Sequence, residues 1–236
     1  YKGKEDEENL IFLGFIGMLD PARKEVKEAV KLCKQAGIKI KMITGDSELT
    51  AKSIGKQIGI TGKMLSGEQI KSMNDKELAK KIDEIEIFAR IEPKEKLRIV
   101  QILKAKGEEI AVTGDGINDV LALKQADIGV AMGQRGSDVA REVSDMILMN
   151  DDFSNIVKAV EQGRIVYDNS KKATKFLLAS NFDGIMMIAY SILLRLPLPL
   201  LPLQILWINL VTDSFPALAL TKEKGEEAMM VSIPYR

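Results

Sequence analysis

Two rhythms of apolar residues alternate along the first 150 positions. Short β-type runs at 10–16, 38–43, 85–88, 110–112 and 128–132 predict strands. Between them, stretches 25–35, 47–58, 75–82 and 94–106 carry apolar residues every three to four positions, which predicts amphipathic helices. Strand and helix in alternation make an α/β fold, a doubly wound parallel sheet covered on both faces. Ligands of such sheets bind beyond the carboxyl ends of the strands. Residues 61–74, with Gly62, Gly67 and mixed polarity, break the rhythm and predict a loop-rich insertion.

From about position 174 to 220 the pattern changes. Only Lys175, Asp183, Arg195 and Asp213 are charged there. Stretches 176–194 and 203–220 are each long enough to cross a bilayer, and the apolar turn between them carries Pro197, Pro199 and Pro202. A transmembrane hairpin in a lipid bilayer is the expected arrangement. Lys171, Lys172 and Lys175 precede the first span and place that side, with the soluble domain, in the cytoplasm. The expected divisions are a soluble domain over 1–152, a stalk helix over 153–175, the hairpin over 176–220 and a cytoplasmic tail over 221–236.

Composition narrows the chemistry. Lys plus Arg and Asp plus Glu number 34 each, so no basic excess points to nucleic acid. There is no histidine and one cysteine, Cys33, which excludes an internal disulfide, a Cys/His zinc site and histidine acid–base catalysis. Chemistry here must run on carboxylates, Lys, Thr and a metal.

Several groups of that kind fall at strand ends. Thr113-Gly114-Asp115-Gly116-Ile117-Asn118-Asp119 follows an apolar run and opens a helix-compatible stretch at 121–126. Its carboxylates suit Mg²⁺, and its glycines admit a phosphoryl group close to the backbone. Thr44-Gly45-Asp46 ends the second predicted strand, where it also reads as a helix N-cap. Lys96 lies in the first turn of the helix that follows Glu92-Pro93. Thr44 to bond phosphoryl oxygens, Lys96 to neutralise them and Asp115 to hold Mg²⁺ are the auxiliaries of transfer through an aspartyl phosphate. In the second span Asn209, Thr212 and Asp213 share a helical face by spacing and offer amide, hydroxyl and carboxylate oxygens, a ligand set Ca²⁺ accepts. Pro216 is expected to unwind the helix nearby and free carbonyls.

Taken together these motifs resemble a P-type cation-transporting ATPase of the calcium-pump branch. The matching residues are 17–23 (Gly-Met-Leu-Asp-Pro-Ala-Arg), 42–46, 88–93 with Lys96, 113–119, 126–133 and 207–213 (Trp-Ile-Asn-Leu-Val-Thr-Asp). The resemblance implies a haloacid-dehalogenase-like phosphorylation domain whose last helix continues as a stalk into the fifth transmembrane helix. The sixth would carry cation ligands. It implies that Asn118 and Asp119 complete the phosphate and Mg²⁺ site, with Thr44, Gly45, Asp46 and Lys96 as catalytic groups. Arg90 would lie near the nucleotide, and Arg23, grouped with the cofactor-binding residues, would shape the domain edge with Asp20. ATP and Mg²⁺ are the implied cofactors and Ca²⁺ the implied cargo, held in part by Asn181, Asn209, Thr212 and Asp213. A family glutamate three residues after Asn181 is Gly184 here, with Asp183 one position earlier, which favours a one-ion pump and leaves Mn²⁺ or Na⁺ open as alternatives to Ca²⁺.

The family's Asp-Lys-Thr-Gly-Thr, which carries the phosphorylated aspartate, is not in these residues. The actuator, the nucleotide-binding insertion and further transmembrane segments are the expected partners within a longer pump, of which the chain is expected to be an interior, by itself inactive, fragment. A non-catalytic cation-binding module and a membrane-anchored phosphatase of the same superfamily are the alternatives.

Overall fold

The computed structural model describes residues 22–225, together with Gly14 and Met230. The strand expected at 10–16 lies outside the described residues, Gly14 excepted, as does Asp20. Lys24–Gln35 (α1) opens the described chain, followed by Met42–Ile43 (β1) and Glu48–Ile58 (α2). Next come Lys63–Ser66 (β2), Gly67–Ser72 (α3), Asp75–Lys81 (α4), Ile85–Ala89 (β3) and Pro93–Ala105 (α5). A second group follows: Ala111–Gly114 (β4), Val120–Gln125 (α6), Ile128–Met132 (β5), Asp138–Val143 (α7) and Met146–Leu148 (β6).

The strands form two parallel three-stranded sheets, ordered β1-β3-β2 and β4-β5-β6. In the first, β3 is central, with Ile43 and Leu65 both opposite Phe88. Side-chain alternation sends Phe88 into one core with Ile70, Leu78, Ile82 and Ile99, and Ile87 and Ala89 into another with Val30, Ala51 and Ile60. Helices therefore cover both faces. In the second sheet Gly114 lies opposite Ala131 and Val130 opposite Met146. An aspartate precedes each of β5 and β6 and fixes its neighbour. Asp127 Oδ2 accepts the Ile110 N–H (3.0 Å) and Asp145 Oδ2 the Gly129 N–H (2.7 Å).

Two sequence expectations need correction. Residues 61–74 are not loop-rich: β2 and α3 lie there, the helix closed by a capping box in which Ser66 and Gln69 bond each other's backbone. Its two glycines are close approaches, since a Cβ on Gly67 would lie 2.2 Å from the Arg90 carbonyl oxygen. The strand expected at 38–43 is strand only at Met42–Ile43. Ahead of it the Lys41 ammonium donates to the carbonyls of Ile82 (2.6 Å) and Ile85 (2.6 Å).

Beyond β6 the chain becomes one 40-residue helix, Ser154–Leu193 (α8), about 60 Å long at 1.5 Å per residue. Its foot packs on α1, where Val157 joins Ala29 and Cys33, and the Arg164 guanidinium donates to the Ala36 carbonyl. After a turn at Arg195, whose φ is +55°, come Pro202–Trp207 (α9), a π turn at Ile208–Thr212, and Ser214–Thr221 (α10). Two stretches are long and apolar enough to cross a membrane, Ser154–Leu193 and Pro202–Thr221, and only 6% and 11% of their most apolar windows are buried. That exposure sets them apart from the core helices of a soluble fold. The irregularity expected at Pro216 lies instead at the π turn before it. Pro216 sits in the first turn of α10, where a missing N–H costs little.

Candidate active site

The carboxyl ends of β1 and β4 open onto one cavity of about 420 Å³. Thr44, Gly45, Lys96, Asp115, Asn118 and Asp119 all line it, so six of the residues singled out at separate points of the sequence meet here. β1 and β4 are both edge strands: among the described residues β1 pairs only with β3 and β4 only with β5.

Asp119 is the best-anchored side chain. Its Oδ1 accepts from Lys96 Nζ at 2.7 Å, with both side chains largely buried, and its Oδ2 accepts the N–H groups of Asp115 (3.2 Å) and Gly116 (3.4 Å). Gly114 is required by this arrangement: a Cβ there would stand 2.5 Å from Asp119 Cβ. Lys96 projects from the first turn of α5, set by Pro93 at the helix start. The Asp115 carbonyl accepts the Ser137 N–H at 2.8 Å, which ties the loop after β4 to the start of α7 and leaves the exposed Asp115 carboxylate facing the cavity.

Thr44 stands at the end of β1, its backbone held by Phe88 and Ile91. Its hydroxyl donates to Asp46 Oδ2 at 2.9 Å and accepts the Asp46 N–H at 3.1 Å, so Asp46 orients Thr44 and does not itself line the cavity. Helix α2 is capped by Ser47, not by Thr44 or Asp46. Arg90 bonds the Asp46 carbonyl through its N–H and has φ +54°, a left-handed turn that ends β3; its side chain is exposed. Arg23 lies elsewhere: its guanidinium donates to the Asp151 carbonyl at 2.7 Å and lines no part of the cavity.

Asp151 escaped the sequence reading. It is 6% exposed, with φ +52°, and its carboxylate accepts the N–H groups of Gln134 and Arg135, both at 3.0 Å. Those bonds, the Gln134 N–H first, hold its pKa below the ordinary carboxylate value. It staples the turn after β5 to the start of α8. The run Asn150-Asp151-Asp152 ahead of a long helix was the available signal, and it reads equally as a helix cap.

As a metal site the cavity is partial. Among the described residues no three carboxylate, Cys or His side chains cluster. Asp115 with Asp119 nearby suits Mg²⁺, which is held by one or two carboxylates and takes its remaining ligands from water and phosphate.

In the hairpin, Asp213 is 4% exposed and accepts from Ser180 Oγ at 2.7 Å. The π turn rotates the helix just before it, so the shared face expected for Asn209, Thr212 and Asp213 is split. Asp213 faces α8, whereas Asn209 and Thr212 are exposed. Asn181 is exposed as well and donates to the Leu177 carbonyl at 2.8 Å.

Residues 2–127 match a family model described as haloacid dehalogenase-like hydrolase, and 96–160 match another of the same description. Residues 197–236 match the C-terminus of cation transporting ATPases. The chain is 48% identical over 231 residues to calcium-transporting ATPase 1 of Bacillus cereus, covering 97% of this chain and 26% of that protein. It is 46% identical over 217 residues to human calcium-transporting ATPase type 2C member 2, covering 91% and 23%. The chain thus spans about a quarter of the length of these curated relatives. The crystal structure of a zinc-transporting PIB-type ATPase shares the fold, with TM-score 0.60 and 23% identity over 89% of this chain and 27% of that one.

Proposed function

Because the chain belongs to the haloacid dehalogenase-like hydrolases, and is homologous over nearly its whole length to P-type calcium-transporting ATPases, we propose that it is the working half of such a pump's phosphorylation site joined to part of its cation path. One observation supports this most directly. β1 and β4 are both edge strands, and residues at their carboxyl ends line the one cavity that holds Thr44, Lys96, Asp115 and Asp119. A strand added between those edges completes one continuous parallel sheet, and a carboxylate at its carboxyl end lies among all four side chains. In this reading that strand, supplied by another segment of the pump, carries the aspartate that takes the γ-phosphoryl group of ATP.

The roles follow from the chemistry. The Thr44 hydroxyl, aimed by Asp46, and the Gly45 N–H hold phosphoryl oxygens. Lys96 neutralises their charge and is kept in place by Asp119. Asp115, with the Asp119 carboxylate and Asn118 beside it, is the ligand for Mg²⁺, which supplies charge neutralisation at the transferring phosphoryl group. Arg90 serves the nucleotide side. Asp213, buried within a span, is the principal ligand of the transported cation, Ca²⁺ by homology, with Asn209, Thr212 and Asn181 brought in as the helices rearrange. An ionisable side chain inside a span faces a partner or a pathway, and the neutral Ser180 hydroxyl leaves Asp213's charge for a cation to balance. The lysines at 171, 172, 175, 222 and 224 put both ends of the hairpin, and the soluble domain, in the cytoplasm.

The test is phosphorylation by labelled ATP with Mg²⁺. The 236-residue chain alone takes up no acid-stable label, whereas the pump polypeptide that contains it is labelled on one aspartate, and Asp115→Ala removes that label. Acid-stable label on the isolated chain refutes the proposal.

A further inference from the structure

Helix α8, which leaves the soluble domain after β6, and helix α10, which follows Asp213, are packed along one antiparallel seam. On α8, Asn169, Ala173 and Ser180 form a stripe at spacings of four and seven; opposite, Asp213, Ala217 and Thr221 recur at four. Ser180 bonds Asp213 at one end of the seam, and the buried Ala173 and Ala217 lie between the ends. At the other end the Asn169 amide donates to the carbonyls of Glu223 (2.7 Å) and Thr221 (3.4 Å). Lys172 Nζ sits one turn away between Glu223 Oε2 (2.8 Å) and Asp168 Oδ2 (3.2 Å). Gly225 lies so close to α8 that a Cβ on it would be 2.4 Å from Ile165 Cγ1.

We propose that Asn169 and Lys172, gripping Thr221–Glu223, form a permanent strap that makes the stalk and the cation-bearing helix move as one body at the cytoplasmic edge of the membrane. The strap is read from these contacts alone; what it transmits rests on the pump reading above. The alanines let the two helix backbones approach closely, and without a hydrophobic driving force in lipid the polar contacts add fixed points along the seam. Polar ties fix their registry. The Ser180 tie ends on Asp213 Oδ2, the oxygen a cation needs, so that end opens when the site fills. The Asn169 end uses no cation ligand and stays closed through the cycle. Asn169 is 2% exposed and its Oδ1 accepts no hydrogen bond among the described residues, so Asn169→Asp sets an anion against two carbonyls with no donor to relieve it.

A water-soluble carbodiimide, which joins an amine to a carboxylate as an amide with loss of water, reads the strap directly. In the full-length membrane protein the Lys172–Glu223 cross-linked peptide forms with Ca²⁺, with chelator, and with Mg²⁺ and orthovanadate, and disappears in Glu223→Gln. A link in one condition only, or in none, overturns the proposal, whatever the protein transports. In transport assays, Asn169→Asp and Glu223→Gln keep phosphorylation from ATP within about twofold of wild type, while cations moved per ATP hydrolysed fall about fivefold, the lower range for coupled sites. Lys172→Ala with Glu223→Ala loses no more than either change alone. Parallel loss of phosphorylation and transport, or loss of neither, also overturns it. Failure of the pump reading shows separately, as a wild-type protein with no cation-dependent label.

Discussion

Lys96 and Asp119 depend on each other more than either depends on its own element. The ammonium meets a carboxylate that two backbone N–H groups already hold, in a site with little solvent. Removing Lys96 leaves the Asp119 carboxylate to its two backbone N–H donors, and removing Asp119 takes from Lys96 its one ion-pair partner among the described residues. Gly114→Ala reaches the same pair sterically, since the new methyl overlaps Asp119. It is expected to destabilise the domain by about 1–3 kcal/mol, as overpacking does, and to abolish phosphoryl transfer; thermal melting and phosphorylation of the same preparation check both. Asp151 yields a pH signature. Its folded-state pKa is lowered, so the unfolded chain binds its proton first and the stabilisation is complete above the ordinary carboxylate value of about 3.9. That stabilisation drains away as pH falls below this value towards the folded one. Wild type therefore melts above Asp151→Asn at about pH 6, and the two melting temperatures converge as pH falls through that window. A gap of constant size from neutral pH to acid contradicts the staple.

At the scale of elements, those with strong periodicity were legible and those built by close approach were not. Helices α1, α2, α4 and α5 fall within a residue or two of their predicted bounds, because an amphipathic stripe marks each, and a capping side chain in α2 and α4 or Pro93 in α5 marks the start of three of them. β2 and α3 were missed because Gly62 and Gly67 look like loop residues. Their reason for being glycine, contact with Glu86 and with the Arg90 carbonyl, depends on partners more than 20 residues away. The π turn at 208–212 was invisible for a related reason: spacing rules assume 3.6 residues per turn, and a wide turn changes which side chains share a face. Thr44, Lys96 and Asp115 could be grouped beforehand because strand ends in an alternating fold converge, whereas the Ser180 and Asn169 contacts need the actual helix pairing. The buried alanines of that pairing supply a test. Ala217→Leu fills the α8–α10 seam and separates the helices, and it is expected to weaken cation-dependent phosphorylation while leaving the melting of the soluble domain unchanged.

At the scale of the whole chain, one uninterrupted helix connects the soluble domain to the apolar hairpin. Its foot is stapled to the soluble domain through Asp151 and α1, and its upper half supplies Ser180 to Asp213. In the proposed pump, coupling between phosphate-site occupancy and cation binding is a free energy carried by this shared helix, and binding at each site biases binding at the other reciprocally. Phosphorylation from ATP in that pump needs a filled cation site and phosphorylation from inorganic phosphate does not, so the two donors separate the two ends. The decisive comparison is Asp213→Ala against wild type in the complete pump, each assayed with both phosphate donors. The account predicts that the variant loses Ca²⁺-dependent phosphorylation from ATP and keeps phosphorylation from inorganic phosphate. Equal loss of both reactions, or retention of both, would contradict it.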